Sequence, residues 1–216
     1  MLVLGDEDVR SRLAPRLAVE AARRAVLEAH RGTLAAPPRH AVDLGSHELV
    51  FTVGGLRGGA SGFRAYGTWP GESDQAVLVW DGEGRLLGCV AGTELGARRT
   101  GAIGAVAADA LARTDARTAG VVGSGRQART QLWAVASVRR LERVRVFSPN
   151  ADRREAFAAW ARDELGLEAA AVSGAGEAVA GADVVLLATR SATPVIDDGW
   201  IEPGTHVNTV GPKTRS

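Results

Sequence analysis

The chain has 216 residues, a formal net charge of +1 and 45% hydrophobic residues, a composition typical of a soluble globular protein. The small charge argues against nucleic acid or a membrane surface as a partner, and no apolar run reaches the ~18 residues that a transmembrane helix needs. Cys89 is the only cysteine, which excludes an intramolecular disulfide and favours a reducing, cytoplasmic location.

The N-terminal half predicts an α+β unit. Asp6 is expected to cap a first helix, and a longer helix is expected from Pro15 to about Gly32, because alanines recur there at helical spacing. Short strands follow at about 40–44, 48–53, 61–66, 76–80 and 85–90. The last two form a clear hairpin around the turn Asp81-Gly-Glu-Gly84. These elements indicate an antiparallel sheet beside one long helix.

A helix rich in glycine and alanine is predicted from about Thr100 to Arg113, where small side chains permit close packing against a neighbour. The crossover at 114–117 then separates an N-terminal domain, 1–115, from a second domain, 116–216. Strands are predicted in this second domain at 119–123, 144–148, 169–172, 184–189 and 206–211, with helices at 126–139, 152–165 and 176–181. That alternation predicts a doubly wound parallel sheet, which we expect to be truncated after its fifth strand.

The most informative stretch is Gly123-Ser-Gly-Arg-Gln-Ala128, between a predicted strand and a predicted helix. In that context a glycine turn is the dinucleotide-binding fingerprint. Gly123 would allow the tight turn, Gly125 would let the backbone approach a pyrophosphate, and Ala128 would let helix and strand pack closely. The alternative is an ordinary strand–helix turn. The flanking elements favour a cofactor site that includes Gly123, Ser124, Gly125, Arg126, Gln127 and Ala128.

The end of the next strand indicates which dinucleotide binds. The segment 147–150 carries no acidic residue for a ribose 2′-hydroxyl, and Arg153 and Arg154 follow closely. Ser148, Asn150 and Arg153 are therefore candidate ligands of a 2′-phosphate, and NADP is favoured over NAD. The alternative is that Asn150 caps the next helix and that the arginines are solvated.

Several segments together resemble the ornithine cyclodeaminase/mu-crystallin family, in the family's order and over nearly the whole chain. They are Pro37-Pro-Arg39, Gly62-Phe-Arg64, Arg99-Thr-Gly-Ala102, the glycine turn, Ala188-Thr-Arg-Ser191 and Pro203-Gly-Thr-His-Val-Asn208. The resemblance implies a substrate-binding and dimerisation domain joined to a Rossmann domain, and hence a homodimer. The family's known activities include cyclodeamination of ornithine, reduction of cyclic imines and dehydrogenation of amino acids. Mu-crystallin also binds thyroid hormone, and all these proteins use a nicotinamide cofactor or bind alongside one.

Residue by residue, the resemblance implies that Arg39 and Arg99 hold a substrate carboxylate, which a guanidinium can bind through two parallel bonds. Arg64 stands where many members have an active-site lysine, and it keeps the positive charge but cannot easily transfer a proton. Lys213 stands where cyclodeaminases carry a catalytic aspartate, which counts against a lyase. Lys213 remains a candidate proton donor or carboxylate contact. The alternative is that the arginines are solvated on the surface and that Lys213 is a frayed terminal residue.

Three further cofactor contacts are expected. Thr189 and Arg190 follow the fourth strand, near the nicotinamide end, and Thr100 opens a helix whose N-terminus could face an anionic group. No metal site is expected. The sequence therefore predicts a cytoplasmic, homodimeric NAD(P)-dependent reductase or dehydrogenase of amino-acid metabolism, acting on a small imine or amino acid with an α-carboxylate. The alternatives are a cyclodeaminase-type ammonia-lyase and a non-catalytic, NADP-dependent binding protein.

Overall fold

The structure is a computed structural model that describes residues 1–69 and 74–211. The chain folds as two compact units, Met1–Ala97 and Arg98–Ser216. The boundary predicted at 115/116 lies after the helix that crosses this division, so most of that helix groups with the second unit. Within the described residues, no helix combines the length and the apolar character that crossing a membrane requires.

The first unit is built on a seven-stranded sheet with the order β1-β7-β6-β5-β4-β2, in which β3 also pairs with β4. Its elements are β1 (Leu2–Leu4), α1 (Asp6–Arg12), α2 (Pro15–His30), β2 (Leu34–Ala35), β3 (His40–Asp43), β4 (Glu48–Leu56), β5 (Ser61–Gly67), β6 (Gln75–Trp80) and β7 (Leu86–Gly92). The predicted α+β unit, its long helix and its hairpin are confirmed. The prediction of a purely antiparallel sheet is wrong at β1, which pairs with β7 in parallel. A strand of three residues is too short to show a period-2 pattern.

Asp6 caps a helix, but not the one that it begins. The N-cap of α1 is Gly5, so the prediction that Asp6 caps its own helix is wrong. The Asp6 carboxylate instead accepts hydrogen bonds from the backbone N–H of Glu94 at 2.8 Å and from the Thr93 hydroxyl at 3.4 Å. Both donors lie at the start of α3 (Glu94–Leu111). The N-terminus of α3 is therefore already satisfied by an acidic side chain of the protein.

The second unit contains the predicted doubly wound sheet, with five strands in the order β10-β9-β8-β11-β12 and every pairing parallel. Its elements after α3 are β8 (Thr118–Val122), α4 (Arg126–Val135), β9 (Arg143–Phe147), α5 (Ala151–Leu165), β10 (Glu168–Ala171), α6 (Ala175–Val179), β11 (Val184–Ala188), a 3₁₀ turn (Asp198–Trp200) and β12 (His206–Val210). Val121, Val184 and Leu186 are 0% exposed. Such burial is typical of central parallel strands that are covered on both faces.

Small residues let α3 lie close to α4, as predicted. A Cβ atom at Gly101 would stand 2.2 Å from the Thr130 carbonyl oxygen, and one at Gly104 would stand 2.1 Å from Gln131 Oε1. Neither distance is possible for a real side chain. A side chain at Gly101 would therefore force the backbones of the two helices apart, and one at Gly104 would displace the buried amide of Gln131.

Helix α4 ends at Val135, and the prediction that it continues to Arg139 is wrong. The Ser137 hydroxyl donates to the Ala134 carbonyl at 2.7 Å, where the chain leaves the helix. Arg139 is 8% exposed, and its Nη2 donates to the Asp109 and Ala112 carbonyls at 2.6 and 3.0 Å. A buried guanidinium therefore satisfies the last carbonyls of α3.

Asp183 joins the amino ends of β8 and β11. Its Oδ2 accepts from the backbone N–H of Arg117 at 2.8 Å, and from the Thr118 N–H and hydroxyl at 2.9 and 2.8 Å. Arg113 also contacts this carboxylate through its Nη2. Burial raises the pKa of the Asp183 carboxyl, but these hydrogen bonds and the Arg113 charge outweigh it and hold the pKa below the ordinary value of 3.8. These contacts lie at the amino ends of the strands, whereas ligands of open α/β sheets bind at the carboxyl ends.

Candidate functional site

The glycine turn lies where β8 meets α4. Gly123 has a φ of +113°, a region that favours glycine, and its N–H donates to the Phe147 carbonyl at 2.8 Å. A Cβ atom there would stand 2.2 Å from the Ala188 carbonyl oxygen. The turn thus sits against the ends of both neighbouring strands, β9 and β11. The predicted tight turn at Gly123 is confirmed.

Gly125 is the N-cap of α4, and its φ of −82° and ψ of −176° are open to any residue. No described atom lies within 4 Å of the position that its Cβ would take. The N–H groups in the first turn of a helix have no partner inside the helix, and the dipole makes that end positive. Ala128, 0% exposed, packs beneath. Glycine at 125 is therefore unnecessary for packing, and it leaves the backbone open to an anion.

A short hydrogen-bonded chain ties this turn to the end of β9. The Ser124 hydroxyl donates to the Ser148 hydroxyl at 2.8 Å, which in turn donates to the Asn150 carbonyl at 3.2 Å. Asn150 Oδ1 accepts from the backbone N–H of Arg153 at 2.8 Å and so caps α5. The capping alternative for Asn150 is confirmed. Because Ser148 is 6% exposed, its role is at least partly structural.

Two arginines flank this edge of the sheet. Arg153 is exposed, while Arg154 is half-buried and donates from Nη1 to the Ser148 carbonyl at 3.1 Å. At the start of α4, Arg126 is exposed, and Gln127 has a buried Oε1 with no hydrogen-bond partner among the described residues. The first turns of α4 and α5 therefore carry arginine side chains.

A cavity of about 340 Å³ opens at the carboxyl ends of β11 and β12. Thr189 lines it, together with the side chains of Ser191, Thr193 and Ile196, and the Ser191 hydroxyl donates to the Thr193 carbonyl at 2.8 Å. Arg190 is exposed and is not among the lining residues. In open α/β sheets, ligands bind at this edge beside the switch in strand order, which here lies between β8 and β11. Ser191 ends one of the segments that resemble the family, whereas Thr193 carries no sequence signal beyond its place after a strand.

The prediction that Thr100 opens a helix is wrong. Helix α3 begins at Glu94, so Thr100 lies inside it. The Thr100 carbonyl accepts from Gln131 Nε2 at 3.2 Å, and Gln131 Oε1 accepts from Asn208 Nδ2 at 3.0 Å. Gln131 is 2% exposed, and these hydrogen bonds offset the cost of burying its amide. The small residues after Thr100 mark where α3 packs closely, not where it starts.

In the first unit, Arg64 lies on β5 and is half-buried. Its Nη1 donates to Gln75 Oε1 at 3.4 Å, and its guanidinium carbon lies 4.4 Å from the centre of the Tyr66 ring. Its Nε is buried without a hydrogen-bond partner among the described residues. The guanidinium therefore retains N–H donors that no described residue accepts.

The sheet register places Arg39 near Arg64. Arg39 directly precedes His40, which pairs with Phe51 on β4. The next residue of β4, Thr52, pairs with Arg64. The two arginines therefore flank β4 on opposite sides, at two strand spacings or about 10 Å between backbones. Arg39 is exposed.

Two further residues are expected to bind or protonate the substrate. Arg99 lies on α3 and is exposed. Lys213 lies outside the described residues. The roles of these residues stay predictions.

The family model described as "Ornithine cyclodeaminase/mu-crystallin family" matches residues 2–215. The chain belongs to this family. A Delta(1)-pyrroline-2-carboxylate reductase of Bacillus cereus is 34% identical over 128 residues, which are 59% of this chain and 39% of that relative. The matched segment is therefore well under two thirds of that curated relative.

Two solved structures are similar over nearly the whole chain. One is Thermococcus litoralis Delta(1)-pyrroline-2-carboxylate reductase in complex with NADH and L-proline, with a TM-score of 0.90, 33% identity and coverage of 98% of this chain and 69% of that one. The other is an archaeal alanine dehydrogenase dimer with bound NAD, with a TM-score of 0.87, 26% identity and coverage of 96% and 66%. Both share the overall fold described above.

Proposed function

We propose that this protein is an NAD(P)-dependent reductase of a small imine, or the corresponding amino-acid dehydrogenase, whose substrate carries an α-carboxylate. The observation that carries the proposal is the open glycine turn at Gly125, on the carboxyl edge of a parallel sheet. The similarity to a reductase bound to NADH and L-proline supports it.

The residues of the turn fit a dinucleotide. The backbone at Gly125 and the first N–H groups of α4 would hold the pyrophosphate, because no side chain of the described residues fills that space. Thr189 and the cavity beside it would receive the nicotinamide end. When bound, the cofactor supplies the hydride that reduces a carbon–nitrogen double bond. The protein's part is to hold and orient the cofactor and the substrate and to exclude water from them.

Arginines would hold the substrate. Arg39 and Arg99 are the proposed carboxylate ligands, and Arg64, whose backbone lies about 10 Å from that of Arg39, adds a positive charge. Arg64 cannot supply the proton that imine nitrogen needs, since arginine stays charged in proteins. Lys213 remains the proposed proton donor.

We favour NADP over NAD as the cofactor. The end of β9 offers no acidic residue for a ribose hydroxyl, while Arg153 and Arg154 can face a 2′-phosphate. The solved relatives carry NADH and NAD, so NAD is the rival. Titration of both cofactors against the protein distinguishes the two.

A homodimer is also proposed. Val42, Phe51 and Val53 are 40%, 37% and 57% exposed, and the register puts them on one face of the β3–β4 pair. A row of exposed apolar side chains on a sheet is typical of an interface. The similar alanine dehydrogenase is a dimer.

The test is a substrate screen with NADPH and NADH. The screen would offer cyclic imines with and without a carboxylate, α-keto acids with ammonia, and ornithine. Both cofactor oxidation and ammonia release would be measured. We expect that the cofactor is oxidised only with substrates that carry a carboxylate. Ammonia release from ornithine without net cofactor consumption would indicate a lyase instead. Tight cofactor binding without any turnover would indicate a binding protein.

A further inference from the structure

We propose that Gln75 is a positioning residue that holds the Arg64 guanidinium without cancelling its charge, so that the charge is kept for an anionic group of the substrate. The proposal rests on the carboxylate-bearing substrate proposed above. Gln75 lies on β6, and it belongs neither to the glycine turn nor to the arginines that are proposed to bind the substrate.

The sheet register brings the three side chains to one face. Tyr66 on β5 pairs with Gln75 on β6, and Arg64 pairs with Val77. Residues that pair directly point to the same face, as do residues two apart on one strand. The contacts agree with this register. Arg64 Nη1 donates to Gln75 Oε1 at 3.4 Å, and the guanidinium carbon of Arg64 lies 4.4 Å from the centre of the Tyr66 ring. The amide and the ring thus fix two sides of the guanidinium.

Gly96 makes room for the Gln75 amide. Gly96 is buried in the first turn of α3, and a Cβ atom there would stand 2.6 Å from Gln75 Oε1 and 3.2 Å from Nε2. Any side chain at 96 would push the amide away from its place. The amide is therefore packed between the helix and the guanidinium, rather than free to move in solvent.

No carboxylate of the described residues compensates the charge of Arg64. Among the described residues, no carboxylate lies within ion-pair distance of its guanidinium, and its buried Nε lacks a hydrogen-bond partner. A half-buried cation without a counter-ion costs free energy. A glutamate at 75 would have nearly the same shape and would cancel the charge. Glutamine gives the same acceptor oxygen and leaves the cation available.

Two variants at this position separate charge from packing. Gln75→Glu keeps the acceptor and adds a counter-ion, whereas Gln75→Met keeps the length and removes the acceptor. A merely structural role predicts that methionine does more harm, because it loses the hydrogen bond. The charge-preserving role predicts that glutamate does more harm. Ser61→Asp is the matched control, since Ser61 is exposed on the same strand as Arg64 and, three residues away, on the opposite face.

The experiment measures binding of pyrrole-2-carboxylate, an unreducible carboxylate, to the cofactor-saturated protein by calorimetry, with KM and kcat measured in parallel. We expect Gln75→Glu to weaken pyrrole-2-carboxylate binding by about tenfold or more. Gln75→Met should weaken it less, and Ser61→Asp should leave it unchanged. In the reductase assay KM should rise more than kcat falls, with cofactor affinity unaltered in all three variants.

Equal affinity in wild type and Gln75→Glu would overturn the inference, and so would a larger loss in Gln75→Met. Failure of the wild type to bind any carboxylate would overturn it as well. If the wild type binds pyrrole-2-carboxylate but reduces no imine, the proposed function fails. The order of the two Gln75 variants in calorimetry then still decides the role of Gln75.

Discussion

The two glycines of the fingerprint turn should fail in different ways when a side chain is added. Gly125→Ser places a favoured N-cap residue at an allowed φ of −82° and meets no described atom within 4 Å. The free energy of unfolding should therefore stay within a few tenths of a kcal/mol of wild type. The new side chain would, however, stand between the backbone and the pyrophosphate. Affinity for NADPH and NADH should fall at least tenfold, or about 1.4 kcal/mol.

Gly123→Ala should instead damage the fold. An alanine at a φ of +113° is strained, which costs roughly 1–3 kcal/mol. Its Cβ would stand 2.2 Å from the Ala188 carbonyl oxygen, so β11 would have to move, at a further cost of roughly 1–3 kcal/mol. The combined loss, roughly 2–6 kcal/mol, is a large part of the ~5–15 kcal/mol that stabilises a typical domain.

Urea unfolding followed by tryptophan fluorescence measures stability, and calorimetric titration measures cofactor affinity. Gly125→Val adds a larger side chain than serine and should bind NADP(H) at least as weakly. If Gly125→Ser folds normally and binds both cofactors as tightly as wild type, the cofactor does not lie over this turn. Wild-type stability of Gly123→Ala would contradict the geometry of the turn itself.

Three further outcomes are expected. Arg153→Ala combined with Arg154→Ala should weaken NADPH binding at least tenfold and leave NADH binding nearly unchanged; tighter binding of NADH by the wild type would show that NAD is the cofactor. Asp183→Asn should cost about 1.5–3 kcal/mol in urea unfolding at neutral pH. Since the folded pKa of Asp183 lies below 3.8, this stabilisation is fully present above that value and should shrink as pH falls through the folded pKa. Val53→Arg should convert the proposed dimer to a monomer in light scattering, and a dimer of unchanged stability would place the interface elsewhere.

The second unit could be predicted from sequence because its signals are local. The strands β8 and β11 are short, mainly apolar runs, and each α-helix after β8 begins within a few residues of the preceding strand. Gly123 could be interpreted because only glycine suits a tight strand–helix turn. The parallel pairing of a doubly wound sheet could also be predicted, because alternating strands and helices favour right-handed crossovers.

The helix ends that were predicted wrongly depend on residues that are distant in the chain. The start of α3 is fixed by the carboxylate of Asp6, at the other end of the first unit's sequence. The end of α4 depends on Arg139 turning to the carbonyls of α3. A period of apolar residues reports which face is buried, not which distant side chain ends a helix. Gln75 was missed for the same reason, because a polar residue that begins a strand shows no partner in the sequence.

The arginine at 64 also limits the chemistry that the proposed site can perform. A lyase must remove a proton from its substrate, and neither a permanently charged guanidinium nor the neutral amide of Gln75 can accept one. Reduction of an imine asks less of the protein, because hydride transfer needs mainly a held cofactor and a held carboxylate. A positive charge at Arg64, kept available by a neutral neighbour at 75, suits binding of an anionic group. The residues on β5 and β6 therefore favour reductase over lyase independently of the glycine turn.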